Sequence, residues 1–156
     1  MAQEASTKAT KERTVPTQPI LKKSDTLPEF LQKVFKCVDS KDFEGVKSFV
    51  SDDFRLFFAH YILHGINQGI GFVGAFDKRL PKYEHVMGDI YVGDHITIFD
   101  GVLRVWLDDG SVLETPFWDK IEVDPATGKI TTMYALFSIA AVPEKYWKDL
   151  KPEDFA

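Results

Sequence analysis

The chain has 156 residues, the size of one domain, with 44% hydrophobic and 13% aromatic side chains, and its 13 phenylalanines can furnish an apolar core. A formal net charge of −5, with no clustered Lys/Arg face outside the first residues, excludes a nucleic-acid surface, and no acidic block is long enough for an interaction tail. No apolar run approaches the ~18 residues of a membrane helix, no signal-like apolar segment opens the chain, and the lone Cys37 excludes an intrachain disulfide or a cysteine zinc site, so a cytoplasmic, non-membrane protein is expected.

Residues 1–24 are polar, rich in Lys, Thr and Pro, and aperiodic, which predicts a disordered tail in which only Pro19-Ile20-Leu21 is suited to dock. A single domain is expected over 25–150, with a short C-terminal tail at 151–156. Asp25-Thr26 offers a helix cap, and Leu27, Phe30, Leu31, Val34, Phe35 and Val38 recur at helical spacing. Cys37 lies in this pattern and reads as a small buried hydrophobe. Asp39-Ser40-Lys41-Asp42 ends the helix, and Phe43, Val46, Phe49 and Val50 predict a second, shorter one reaching Ser51-Asp52. The run Phe54–Ile62 is apolar and aromatic without a clean period, so a strand and an irregular segment both fit. Gly69 and Gly71 ahead of Phe72, Val73 and Phe76 predict a third helix ending at Leu80-Pro81.

Tyr83–Val92 reads as a strand closed by Gly93-Asp94. From His95 to Ala140 three further long strands follow, joined by Asp108-Asp109-Gly110 and by Asp124-Pro125 through Gly128, both turns having Gly where positive φ is needed. Strands much longer than the usual ~5–6 residues curl. The predicted fold class is α+β: a cone-shaped, curved antiparallel sheet wrapped around about three N-terminal helices, an α+β barrel whose mouth can hold a pocket.

The chemistry-bearing residues are few. His60 and His64 are four apart, but no Glu follows His60 and no helical period surrounds them, so no metal is expected. Gly69, Gly71 and Gly74 spell the dinucleotide-binding spacing without a parallel βαβ unit, so no cofactor is expected either. His85 sits on the first long strand. Asp100 and Asp119 interrupt apolar strands. A buried unpaired carboxylate costs several kcal/mol, so each lies at an opening or is paired, with Arg104 and Lys120 as the nearest partners. Histidine is also the side chain best matched to proton transfer near neutral pH. Phe58, Phe72, Phe76 and Phe99 fit either a packed core or a pocket wall.

The helix-helix-strand-helix-meander order, with its Asp-Gly hairpin and the Gly128-Lys129-Ile130 strand start, resembles the SnoaL-like polyketide cyclases of the nuclear-transport-factor-two-like superfamily over roughly residues 27–143. Tyr61-Ile62-Leu63-His64 followed by Gly69 and Phe72 is similar to the tyrosine-x-x-histidine segment of that family. Trp118-Asp119-Lys120-Ile121 is similar to its aspartate-bearing strand. A weaker similarity, through Asp39-Ser40-Lys41-Asp42-Phe43 and the strand position of His85, is to the scytalone dehydratases of fungal melanin synthesis. Departures from both patterns leave the interior apolar: Val38 and Phe58 replace water-positioning tyrosines, and Met133 and Ala135 replace a histidine and an aspartate on the last strand.

The resemblance implies a cofactor-free acid–base cyclase, isomerase or dehydratase of secondary metabolism, acting on a hydrophobic polyketide- or terpenoid-like small molecule. In it His85 is the base and Asp39 its orienting partner, Tyr61 or His64 the donor to an oxyanion, and Asp119 or Asp100 the second acid–base group. Phe58, Phe72, Phe76 and Phe99 would contact substrate. Tyr83, Arg104, Trp118 and Tyr134 complete that expected wall. The resemblance also implies a homodimer formed through the sheet. The alternative is a non-catalytic ligand-binding or dimerising module on the same fold.

Overall fold

Buried and exposed positions alternate along the long strands, and this period of two gives the sheet one wet and one dry face. In β5 (Ile96–Trp106) Thr97, Phe99, Leu103 and Val105 are buried, and in β6 (Val112–Val123) Thr115, Phe117, Asp119 and Ile121 are. The computed structural model describes residues 20–156, so most of the expected tail, residues 1–19, lies outside the described residues.

The remaining elements are β1 (Lys22–Ser24), α1 (Glu29–Asp39), α2 (Phe43–Lys47), β2 (Val50–Phe58), β3 (Tyr61–His64), α3 (Gly65–Arg79), β4 (Lys82–Val92) and β7 (Ile130–Phe137). The seven strands order as β1-β4-β5-β6-β7-β2-β3, antiparallel except where β2 runs parallel to β7. The sheet stays open, with β1 and β3 at its edges, and its concave face packs on the helices. This is the expected α+β cone. Among the described residues no helix is long and apolar enough to cross a membrane.

Local chemistry explains where elements start and stop differently from the sequence expectation. α1 begins at Glu29 behind Pro28, because Asp25-Thr26 is taken up in a turn in which the Ser24 hydroxyl donates to the Thr26 carbonyl. α2 is only five residues, capped by Asp42 accepting from the Gly45 amide at 2.9 Å. Phe49 and Val50 fall outside it, since Val50 already pairs with Ile130 of β7. The aperiodic run Phe54–Ile62 is a hairpin, turning at Ala59 with φ 50°. Its period is masked because Phe57 points outward, stacked on Tyr134 at 4.5 Å, while Phe54, Leu56 and Phe58 point in.

α3 starts at Gly65, so Gly69, Gly71 and Gly74 lie inside the helix rather than ahead of it. They give close approach: a Cβ would stand 3.2 Å from the Phe54 ring at 69 and 3.3 Å from Phe43 at 74. The last strand stops at Phe137, and the chain continues through 3-10 turns at Ile139–Ala141, Glu144–Tyr146 and Pro152–Phe155. Arg79 of α3 reaches Asp149 at 2.5 Å, and Phe155 sets its ring 5.9 Å from Phe72. Ahead of residue 25 β1 pairs with β4, and beyond residue 150 Phe155 docks on α3.

Gly101 is the tightest backbone approach that bears on the interior. A Cβ there would stand 2.1 Å from the Val86 carbonyl oxygen and 2.8 Å from the Phe117 ring. The carbonyl belongs to the neighbouring strand and cannot step aside without parting the ladder. Gly101→Ala is therefore expected to destabilise the fold by about 1–3 kcal/mol, as overpacking does, read as a lower urea midpoint. An unchanged midpoint would contradict this packing.

Candidate active site

A cavity with about 80 Å³ of solvent-accessible volume lies between the concave sheet, α1 and α3. Its wall is mostly apolar, with Phe35, Phe58, Phe76, Leu103, Phe117 and Phe137 among its members. Four lining residues carry polar groups that titrate: Asp77 of α3, Tyr83 and His85 of β4, and Asp119 of β6. Among the described residues that line it there is no Lys or Arg. The cavity is apolar and acidic.

Strand parity puts these groups there. Tyr83 and His85 are two apart on β4, and Phe117 and Asp119 are two apart on β6, so each pair faces inward together. His85 is held edge-on between two rings, Phe35 at 5.1 Å and Phe117 at 5.2 Å. Its Nδ1 meets Asp39 Oδ1 at 2.7 Å, the carboxylate arriving from the last residue of α1. An ionised Asp39 accepts only, so it selects the tautomer with hydrogen on Nδ1 and leaves Nε2 with a free lone pair. The His85 side chain is 15% exposed and that of Asp39 33%, so the pair sits at the rim with the base inside it.

Asp119 is 4% exposed and lines the cavity. Burial pushes its pKa well above the ordinary carboxyl value, so the group is held toward its neutral, proton-donating form. Lys120, the expected partner, is the next residue on the strand and therefore points to the other face, where it pairs with Glu122 at 2.7 Å. Asp77 is also buried, and burial pushes it up to about 7, with the charge of Asp39 adding to the rise and Tyr83 and Lys41 opposing it. Burial likewise raises the Tyr83 phenol, and the Asp77 charge adds to that rise.

His85, Asp39 and Asp119 are therefore brought to one place, together with Phe58, Phe76 and Tyr83 of the expected wall. The other named residues are not. Asp100 faces the opposite side of β5 and accepts the Asp89 amide at 2.8 Å, filling the bulge where the β4–β5 register shifts. His64 is exposed at the start of α3, its amide donating to Gln68 Oε1 at 2.8 Å. Tyr61 packs on Phe72 at 4.7 Å, and neither residue lines the cavity. Phe99 is core, 5.4 Å from Phe35.

Arg104 lies on the convex face, bridging Glu84 at 2.9 Å and Glu114 at 2.8 Å, and Trp118 and Tyr134 are on that face as well. Even-numbered positions of β5 and β6 point away from a cavity lined by odd-numbered ones, which settles these corrections. Asp77 escaped the sequence reading. Its signal was its place on the apolar stripe of α3, four residues after Val73 and three before Leu80. Among the described residues no three His, Cys, Asp or Glu side chains gather as metal ligands.

No protein-family model matches the sequence, and no curated protein matches it. Solved structures match the fold. A protein with a ketosteroid isomerase-like fold from Catenulispora acidiphila, in complex with trimethylamine, is similar at TM-score 0.65 and 13% identity, covering 82% of this chain and 98% of its own. A protein assigned to the SnoaL-like polyketide cyclases, from Shewanella denitrificans, matches at TM-score 0.62 and 11% identity over 78% and 93% of the two chains. TerC, co-crystallised with polyporic acid, matches at TM-score 0.62 and 17% identity over 72% and 92%. The chain has the nuclear-transport-factor-two-like fold that the SnoaL-like cyclases share.

The burial of Asp119 has a measurable cost. An acid whose folded pKa is raised loses its proton more readily when unfolded, so its folding penalty grows as pH rises above the unfolded value of ~4. Asp119→Asn keeps the shape and cannot ionise. Its urea midpoint is expected to exceed that of the parent at pH 7, with the gain shrinking as pH falls toward 4. A gain that is absent at pH 7, or that persists undiminished at pH 4, would contradict a buried neutral Asp119.

Proposed function

We propose that the protein is a cofactor-free acid–base enzyme of secondary metabolism that cyclises, isomerises or dehydrates a hydrophobic, oxygenated, polyketide- or terpenoid-like molecule. The observation that carries this reading is the His85–Asp39 pair at 2.7 Å facing the same apolar cavity as the neutral-leaning Asp119. Two titratable groups whose environments separate their roles are the usual mark of an acid–base site. His85 Nε2 takes a proton from carbon next to a substrate carbonyl. The electron pair moves onto the carbonyl oxygen, and the Asp119 carboxyl donates a hydrogen bond to the charge that develops there. Asp119 thus fills the donor role expected of Tyr61 or His64, which lie outside the cavity.

The absence of Lys and Arg from the lining, with carboxyls at Asp77 and Asp119, favours a neutral substrate over an anionic one. SnoaL-like cyclases and a protein co-crystallised with polyporic acid among the structural neighbours support the substrate class. The lone Cys37 and the absence of a membrane-length helix among the described residues fit a cytoplasmic setting.

A carrier or binding module is the second reading, favoured by one observation: Val38, Phe58, Met133 and Ala135, where the resemblance would place polar groups, all line the cavity as apolar surface. Native mass measurement after exposure to cell extract separates the two, since a carrier returns its ligand unchanged.

A second copy of the chain is the proposed partner of the convex face. Trp118 is 55% exposed and cross-strand from Leu136, and Val86 pairs with Val102, which pairs with Pro116. These form an apolar stripe across four strands, and Trp118→Glu is expected to turn a dimer into a monomer in sedimentation. A parent that sediments as a monomer would overturn this partner.

The enzyme reading is tested with a panel of neutral polyketide and terpenoid ketones. A positioned base supplies ~10²–10⁴-fold, so His85→Ala is expected to lose turnover by that factor while its near-UV circular dichroism stays native. Full retained turnover would remove His85 from the chemistry.

A further inference from the structure

Asp77, Tyr83 and Val38 form a chain of hydrogen bonds beneath the His85–Asp39 pair. Tyr83 Oη contacts the Val38 carbonyl oxygen and, at 3.0 Å, Asp77 Oδ2. The phenol has one hydrogen, and a carbonyl oxygen can only accept. If Tyr83 donates to Val38, the bond to Asp77 must be donated by a protonated Asp77. If Asp77 is ionised it competes for the same hydrogen, and the Val38 carbonyl keeps only the Lys41 amide, which donates to it at 2.9 Å. Only with the protonated carboxyl can Tyr83 bond Asp77 and the Val38 carbonyl at once.

Val38 is the residue before Asp39, in the last turn of α1, and Tyr83 is two residues before His85 on β4. The chain therefore fastens the two elements that bring Asp39 and His85 together. We infer that Asp77 is a positioning residue for the candidate base: through Tyr83 it latches the final turn of α1 to β4, and so holds Asp39 in place to fix the His85 tautomer. This rests on the reading of His85 as the base. Asp77 does not touch the proton being moved.

The groups facing Asp77 from its neighbours set when the latch holds. Tyr83 comes from β4, Asp39 from α1 and Lys41 from the loop after α1, where φ is 59° and the ammonium donates to the Leu80 carbonyl at the end of α3. Burial, with the Asp39 charge, favours the acid, and the Tyr83 hydrogen bond and the Lys41 charge favour the carboxylate. His85 lies with its ring 6.0 Å from that of Tyr83. With Asp77 poised at about 7, the latch is closed in mildly acidic solution and released as pH rises through neutrality.

The test is NMR on the full chain, in the parent and in Asp77→Asn and Tyr83→Phe, following the Val38 carbonyl carbon and the ring nitrogens of neutral His85 from pH 6 to 8. The Asn amide donates to Tyr83 at every pH and cannot ionise. In the parent the Val38 signal is expected to step near pH 7, with the share of His85 carrying hydrogen on Nδ1 falling as it does. In Asp77→Asn the step vanishes and the acidic-side tautomer persists. In Tyr83→Phe the step also vanishes, and the tautomers are mixed throughout.

A step of parent size in Asp77→Asn, or parent signals in Tyr83→Phe, would overturn the latch. Should Tyr83→Phe fail to fold, Asp77→Asn decides alone. A merely structural Asp77 would change stability without moving the tautomer. The base reading fails separately, by retained turnover in His85→Ala, which leaves the Val38 step untouched.

Discussion

Two hydrogen bonds from one strand to the last turn of one helix hold the interior together: His85 to Asp39, and Tyr83 to the Val38 carbonyl. Both donors lie on the concave face of β4, two residues apart. They meet a helix end, where the Val38 carbonyl accepts the Lys41 amide at 2.9 Å and has a second lone pair for Tyr83. The same contact thus closes the core, satisfies backbone and places a carboxylate beside an imidazole.

The rest of the cavity follows from what is not there. Aromatic and aliphatic side chains surround Asp119 and Asp77, and among the described residues no Lys or Arg lines the cavity, though the Lys41 charge reaches Asp77 from outside it. Leaving two carboxylates ionised in such a place costs more than taking up a proton. The outcome is a division of labour in which the rim carboxyl, Asp39, orients the imidazole and the buried ones are held toward the acid form. The convex face is the opposite: its acids Glu84 and Glu114 are paired with Arg104, and its aromatic rings are exposed or capped by Arg55 and Lys120.

The cone was legible in the sequence because its strands are long and its two meander turns carry Asp and Gly in the positions the turns require. Gly110 and Gly128 do adopt positive φ, at 81° and 71°. The β2–β3 hairpin was hidden because Phe57 stacks outside on Tyr134, so both faces of β2 read as apolar. At the site, His85 and Asp119 were marked by residue type and strand position, and Asp39 only by the resemblance of the segment Asp39–Phe43. Asp100, Arg104, Trp118 and Tyr134 were misplaced because composition says that a strand has polar residues without saying which parity faces in. His64 and Tyr61 lie on a short edge strand that ends before the cavity. Asp77 was missed because an acid on a helix is usually solvated, and only its spacing against Val73 and Leu80 marks it as inward.

The central claim is a neutral Asp119 facing an imidazole base across an apolar cavity. Its most direct measurement is the carboxyl carbon shift of Asp119, with the infrared carbonyl stretch as a second reading, followed as a function of pH. The account predicts a carboxyl that keeps its proton well above the ordinary carboxyl range. A carboxylate that titrates near the ordinary value of ~4 would contradict it.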